Sequence, residues 1–249
     1  MISPNKHGLS FVEYSVDKEG KEFAIAKELV ECLFFDMAKL CTKYSNDVFH
    51  DLPYTYKERC LDCVLLPSLS KLCDGNVLTE LPVTRQCDNR RFQLSPYTGR
   101  IDYWCIYKGY SYVIELKHSY DCFTTTTTRE KEVTELWITM NEQLQSVEKE
   151  IRQYVEKTKG IIRLGLHIIT SYSDKAPDSS LINQFKKSIP DTIERFQRDF
   201  AKPYRSLKPD LLICWKIPTK IVMEEQPTFP GLWAIAKIYP AITHDGAKK

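Results

Sequence analysis

Two strand-like segments on either side of Lys108-Gly109 constrain this sequence more than any other feature. Residues 100–107 and 110–117 alternate with a period of two, and a two-residue linker that contains glycine is typical of a β-hairpin turn. Both faces of the two segments carry mostly apolar residues. Because strands of this kind lie in the interior of a covered sheet, helices are expected on both of its faces.

The same hairpin brings acidic residues together. Counting outward from the turn places Asp102 opposite Glu115, and alternation puts Lys117 on the same face, one step further along. Two neighbouring carboxylates in a largely apolar setting repel each other, so a positive group must compensate them. Since carboxylate, water and phosphate oxygens are the ligands that Mg²⁺ prefers, the pattern predicts a site for Mg²⁺ or Mn²⁺.

The other segments predict an α/β fold with a mixed central β-sheet flanked by helices on both faces, in a single domain over 1–249. Hydrophobic periodicity predicts helices over 21–40, 54–72, 133–154 and 179–200, and strands over 77–84, 161–170 and 211–217. Pro67 is expected to kink or break the second helix, and Thr127 to cap the third from a loop over 124–128. The apolar segment 229–239 fits either a strand or irregular packing.

Charge and cysteine content set broader limits. The chain has 35 basic and 33 acidic residues and a net charge of +2, so binding nucleic acid would require a local basic surface. Nine cysteines, an odd number, and a start without a secretory leader favour a cytoplasmic compartment. No apolar run approaches the roughly 20 residues that span a bilayer, so no membrane association is expected.

Asp102, a short hairpin and then Glu115-Leu116-Lys117 form a pattern that resembles the PD-(D/E)XK nuclease superfamily. The core of that family is a helix, three strands, a helix and a further strand, the order predicted here over about residues 54–170. The resemblance implies a restriction-endonuclease-like core with a helical N-terminal and an α/β C-terminal elaboration. It also implies that Asp102, Glu115 and the Leu116 carbonyl bind the metal and that Lys117 is the catalytic lysine.

Many members of that family add a glutamate from the preceding helix. Glu58 is the first candidate, because it lies on an apolar helical stripe where an unpaired carboxylate is out of place. Glu28 is the second candidate and Glu80 the third. The choice among them stays open at this point.

Basic residues cluster before the hairpin, together with aromatic ones. Arg90, Arg91 and Arg100 are the candidates for contact with a nucleic-acid backbone, and Arg85 belongs to the same cluster. An ordinary solvated loop is an equally good interpretation.

Four cysteines invite a zinc interpretation, namely Cys60, Cys63, Cys73 and Cys87. A second Cys-x-x-Cys pair is missing, and cysteines within a helix can pack as small apolar residues. Structural cysteines therefore explain the pattern better.

The sequence thus predicts a Mg²⁺-dependent nuclease that hydrolyses phosphodiester bonds, with DNA favoured over RNA as the substrate. A homodimer or a protein partner is left open. The alternative is a catalytically inactive nuclease-like fold that binds nucleic acid or serves as a scaffold subunit.

Overall fold

The computed structural model describes residues 5–6, 9–46, 52–85, 97–126, 128, 130–202, 204–218 and 227–243. The strands within these ranges are β1 (Asn5–Lys6), β2 (Leu9–Ser15), β3 (Val77–Arg85), β4 (Tyr97–Tyr107), β5 (Tyr110–Cys122), β6 (Ile161–Ser173), β7 (Leu211–Lys216) and β8 (Thr228–Ile238). The α-helices are α1 (Lys21–Asn46), α2 (Asp62–Leu72), α3 (Glu135–Ser146), α4 (Glu148–Ile151) and α5 (Ser179–Ala201).

The described strands form one mixed sheet in the order β1-β2-β7-β8-β6-β5-β4-β3. Among the described pairs, β5 and β6 run parallel and all others antiparallel. The α/β class and the mixed sheet predicted from the sequence are confirmed. The strand that carries Glu115 and Lys117 lies inside the sheet, between β4 and β6.

Helices cover both faces of this sheet. The neighbouring β6 residues Ile168 and Ile169 point into different hydrophobic clusters, as alternation along a strand requires. Ile168 packs in the cluster that contains Leu29 of α1 and Leu65 of α2. Ile169 packs in the cluster that contains residues of α3 and α5. The expectation that helices would cover both faces of the sheet is therefore confirmed.

The helix predicted over 54–72 forms only in its second half. Before α2 the chain makes two 3₁₀ turns, Pro53–Thr55 and Glu58–Leu61. The Tyr54 carbonyl accepts a hydrogen bond from Thr170 Oγ1 at 2.7 Å, so this backbone is tied to the sheet and not to a helical turn. Pro67, expected to kink or break the helix, lies inside α2 and does not end it.

The long helix predicted over 133–154 is interrupted at Val147, where α3 ends before the short α4. Two arginines bond to carbonyls of the last turn of α3. Arg85 Nη1 donates to the Gln143 carbonyl at 2.9 Å and Arg163 Nη1 to the Leu144 carbonyl at 3.4 Å. These side chains replace the N–H donors that a continuing helix would supply. The predicted cap Thr127 lies outside the described residues.

The other predicted strands and α5 form as expected, with ends that differ by a few residues. The segment 229–239, which fitted either a strand or irregular packing, forms a strand, β8, which pairs with β6 and β7. The N-terminal strand β2, which pairs with β7, was not predicted. Among the described helices, none combines the length and the apolar character required to cross a membrane.

Candidate active site

The hairpin turn fixes the geometry of the site. Lys108 and Gly109 have φ angles of 49° and 83°, the positive values required at both central positions of a type I′ turn. The predicted register is confirmed, since Trp104 pairs with Val113 and the ladder runs to Tyr103 and Ile114. The ladder ends at that pair, so Asp102 and Glu115, predicted to lie opposite each other, come directly after it and do not pair across the two strands.

Asp102 is half-buried at the point where the two strands separate. Its Oδ2 accepts a hydrogen bond of 2.7 Å from the backbone N–H of Leu116. The carboxylate thereby takes the place of the strand carbonyl that would otherwise satisfy this N–H. Asp102 is thus held against the Glu115-Leu116-Lys117 segment by its backbone.

Glu115 is buried, with 1% of its surface exposed. Burial raises the pKa of its carboxyl to about 7, and repulsion from Asp102 adds to the effect while Arg85 and Lys117 oppose it. The effect of Asp102 on Glu115 is consistent with the predicted proximity of the two carboxylates. Arg85 Nη2 donates to Glu115 Oε1 at 2.5 Å, so one oxygen of Glu115 already has a cationic partner.

Glu58 and Lys117 complete this group. Glu58 lies on the second 3₁₀ turn, and its Oε2 accepts from the backbone N–H of His118 at 3.0 Å. Burial raises the pKa of the Glu58 carboxyl, Lys117 lowers it and Asp102 raises it. The Nζ of Lys117 donates to the Leu116 carbonyl at 2.9 Å. The turn therefore brings Glu58 close to Asp102 and Lys117, although not from within an α-helix.

Each of the three carboxylates keeps one oxygen without a donor among the described residues: Asp102 Oδ1, Glu115 Oε2 and Glu58 Oε1. Hard oxygen donors of this kind suit Mg²⁺ or Mn²⁺. Within the described ranges, no three His, Cys, Asp or Glu side chains form a ready-made metal cluster. The donor chemistry fits a divalent cation held by two of these carboxylates, with water completing its shell.

The two alternative glutamates have other partners. Glu28 is bound by Lys108 Nζ at 2.5 Å, at the turn end of the hairpin and away from Asp102. Glu80 forms an ion pair with Arg59 at 2.5 Å and accepts a hydrogen bond from Arg100 at 3.1 Å. Among the three glutamates weighed from the sequence, Glu58 is the one that the fold brings to the site.

Of the arginines predicted to contact nucleic acid, Arg100 is described and Arg90 and Arg91 lie outside the described residues. The Arg100 side chain is 66% exposed and paired with Glu80, which partly neutralises it. It lies two residues from Asp102, at the rim of the candidate site.

The three described cysteines of the zinc interpretation do not form a metal-binding group. Cys60 and Cys63 are exposed, and Cys63 Sγ donates to the Cys60 carbonyl at 2.9 Å. Cys73 is buried and hydrogen-bonds with Cys105, which lowers the pKa of the Cys73 thiol. Cys87 lies outside the described residues.

The side chain that sequence reasoning misplaced is Arg85. Grouped there with the basic loop, it instead ends β3 and is buried, with 2% of its surface exposed. The signal was present, because Leu81, Val83 and Arg85 alternate onto one face of the strand. Arg85 is therefore unavailable to a nucleic-acid backbone and belongs to the interior of the site.

Two buried histidines flank the site on β5 and β6. His118 Nε2 lies 3.0 Å from Thr170 Oγ1, and His167 Nε2 lies 2.8 Å from Ser119 Oγ. Burial lowers the pKa of His118 to about 4 and that of His167 to about 3. Both rings are neutral in the folded protein near pH 7. His118 is too enclosed to contact a phosphate.

These histidines predict acid sensitivity of the fold. A histidine in the unfolded chain takes up a proton near pH 6.5, whereas His167 in the folded protein does so only near pH 3. As the pH falls below 6.5, protonation therefore favours the unfolded chain, and the free energy of unfolding decreases. Between pH 6.5 and pH 4.5, we expect the free energy of unfolding to fall by about 2 kcal/mol less in His167→Gln than in wild type. Urea denaturation at both pH values measures it. An identical fall in the two proteins would contradict the assignment.

Comparisons with protein-family models, curated proteins and solved structures yield no match to this chain. Its function therefore has to be inferred from the site itself.

Proposed function

We propose that this protein is a divalent-metal-dependent nuclease with a restriction-endonuclease-like core, which hydrolyses phosphodiester bonds of nucleic acid, DNA in preference to RNA. One observation carries the proposal. Asp102 and Glu58 accept hydrogen bonds from the backbone N–H groups on either side of Lys117, and Asp102 raises the pKa of both Glu58 and Glu115. Acids held this close to one another and to a lysine, with Glu115 buried, are costly for stability alone and typical of a catalytic centre.

The chain's own residues suggest how such a site would work. Asp102 and Glu115 would hold the ion, and water or phosphate oxygens would complete its shell. Glu58 is a further candidate ligand, whereas the Leu116 carbonyl, which the resemblance also implies, accepts a hydrogen bond from Lys117. A bound Mg²⁺ or Mn²⁺ would polarise a phosphate oxygen and make a neighbouring water more acidic. Lys117, tethered by its Nζ to the Leu116 carbonyl, would orient that water or neutralise charge that develops on the phosphate.

The surroundings support the same function. Glu115 and the Leu116 side chain are buried whereas Asp102 and Lys117 are half-buried, so the site opens to solvent on one side. Arg59 and Arg100 lie at this opening with side chains 62% and 66% exposed. Exposed guanidinium groups there suit an anionic polymer, although both are partly neutralised by Glu80.

The test is cleavage of supercoiled plasmid and of single-stranded circular DNA with Mn²⁺, with Mg²⁺ and with EDTA. We expect cleavage with either metal, none with EDTA, and at least about a hundredfold slower cleavage by Asp102→Ala or Glu115→Ala. Asp191→Asn, an exposed acid on α5, is the matched control and should cleave as wild type does. Cleavage that survives both site changes would refute the proposal.

A second function, a nuclease-like fold that binds nucleic acid without cutting it, is favoured by the Arg85–Glu115 ion pair. A guanidinium at Glu115 Oε1 supplies the compensating charge that a metal would otherwise provide. In that case the purified protein would bind DNA in a gel-shift assay and leave it intact with Mg²⁺ and Mn²⁺.

A further inference from the structure

Arg85 is held by hydrogen bonds to two backbone carbonyls, those of Gln143 and Arg100, in addition to its contact with Glu115. These two carbonyls are called the Arg85 socket below. Arg85 Nη1 donates to the Gln143 carbonyl of α3 at 2.9 Å, and its Nη2 donates to the Arg100 carbonyl of β4. Two backbone carbonyls from different elements thus fix the guanidinium plane. Because an arginine fork is planar, fixing these two nitrogens also fixes the direction in which the group meets Glu115.

Gly99 makes room for this socket. A Cβ at Gly99 would lie 2.6 Å from Arg85 Cδ and 3.0 Å from its Cγ, distances at which one of the two residues must move. The φ angle of Gly99 is not positive, so the backbone itself would accept alanine. The glycine is therefore needed for the close approach of Arg85 and not for a turn.

The pairing leaves Glu115 with one defined free oxygen. Arg85 engages Oε1, and no described residue donates to Oε2. Arg85 and Glu115 side chains are each 2% exposed, so the pair is fixed by packing as well as by hydrogen bonding. A buried carboxylate without such a partner would be neither oriented nor compensated in charge.

We infer that Arg85 is a positioning residue, which holds the Glu115 carboxylate so that Oε2 alone is offered to a single divalent cation shared with Asp102. The inference rests on the proposed function and adds to it the number of ions and the group that prepares the site. Partners that fix a metal ligand from behind commonly change metal affinity or activity by about 10- to 100-fold when removed. Arg85 would act in this manner, although it carries a positive charge itself.

Direct Mn²⁺ titration, followed by electron paramagnetic resonance of the free ion, tests this inference together with plasmid cleavage. Wild type should bind one Mn²⁺ per chain. Arg85→Met and Gly99→Ala should each weaken that binding by about tenfold or more and slow cleavage. Gly99→Ala changes no charge, so it reports on the position of Arg85 alone. Arg85→Lys should recover part of the affinity, because it keeps the charge but not the fork.

The outcomes separate the two claims. If wild type binds Mn²⁺ and cleaves, and Arg85→Met binds the ion equally well or more tightly, Arg85 competes with the cation and the inference is wrong. A stoichiometry of two ions would also overturn it. If wild type neither binds Mn²⁺ nor cleaves, the proposed function fails and the inference fails with it. Thermal unfolding of each variant confirms that it is folded before it is scored.

Discussion

Replacing Lys117 with methionine is expected to slow metal-dependent cleavage by about 100- to 10,000-fold, the range found when a group that moves or positions a proton is removed. Lys117 is half-buried, bonds through Nζ to the Leu116 carbonyl and lies within electrostatic range of Glu58 and Glu115. Methionine keeps much of its length and removes its charge. Plasmid cleavage under saturating Mn²⁺ measures the effect.

Metal binding should respond in a different way from cleavage. The removal of a positive charge beside Glu58 and Glu115 does not weaken their attraction for a cation, so the Mn²⁺ affinity of Lys117→Met should be no lower than that of wild type. Lys187→Met on the exposed side of α5 is the control for the substitution itself. A Lys117→Met protein that cleaves within about threefold of the wild-type rate would remove the lysine from the mechanism.

The second large effect concerns stability. Arg195 of α5 makes a two-bond ion pair with Asp121 near the end of β5, the strand that carries Glu115 and Lys117. Asp121 has no exposed surface and Arg195 has 5%, so the removal of either partner leaves a buried charge. Arg195→Met is expected to lower the free energy of unfolding by about 3–5 kcal/mol. Urea denaturation at pH 7 measures it.

A double variant separates the cost of leaving Asp121 as an unpaired buried charge from the cost of shortening the Arg195 side chain. When both partners are replaced by apolar residues, as in Asp121→Leu with Arg195→Met, no unpaired charge remains, so the double variant should be more stable than Arg195→Met alone. Lys186→Met, on an exposed position of the same helix, should change stability by no more than about 0.5 kcal/mol. A single Arg195→Met variant as stable as this control would show that the pair does not anchor α5.

The hairpin and its acids could be predicted because their information is local. A two-residue turn with glycine at Gly109 fixes the register of β4 and β5 by counting alone. Alternation along the strands then predicts that Asp102, Glu115 and Lys117 lie on one face of the hairpin. The helix–strand order follows from periodicity in the same way. The family resemblance and the nuclease activity that it implies remain predictions.

What sequence reasoning missed depends on contacts between distant segments. At the interruption at Val147, Arg85 and Arg163 reach the last carbonyls of α3 from other elements. The 3₁₀ turn of Glu58 follows from a segment whose Tyr54 carbonyl is bonded to β6. Local periodicity carries no trace of these bonds. Arg85 is a different case, because its alternation with Leu81 and Val83 was visible in the sequence but its contacts with Gln143 and Glu115 were not.

The central claim is that Asp102 and Glu115 together hold a divalent cation. The most direct measurement is anomalous X-ray scattering from crystals grown with Mn²⁺, recorded for wild type and for Asp102→Asn. We predict one anomalous peak next to Asp102 Oδ1 and Glu115 Oε2 in wild type, and its loss in the variant. A peak that lies elsewhere, or a wild-type site without a peak at millimolar Mn²⁺ while Arg85 remains on Glu115, would contradict this account.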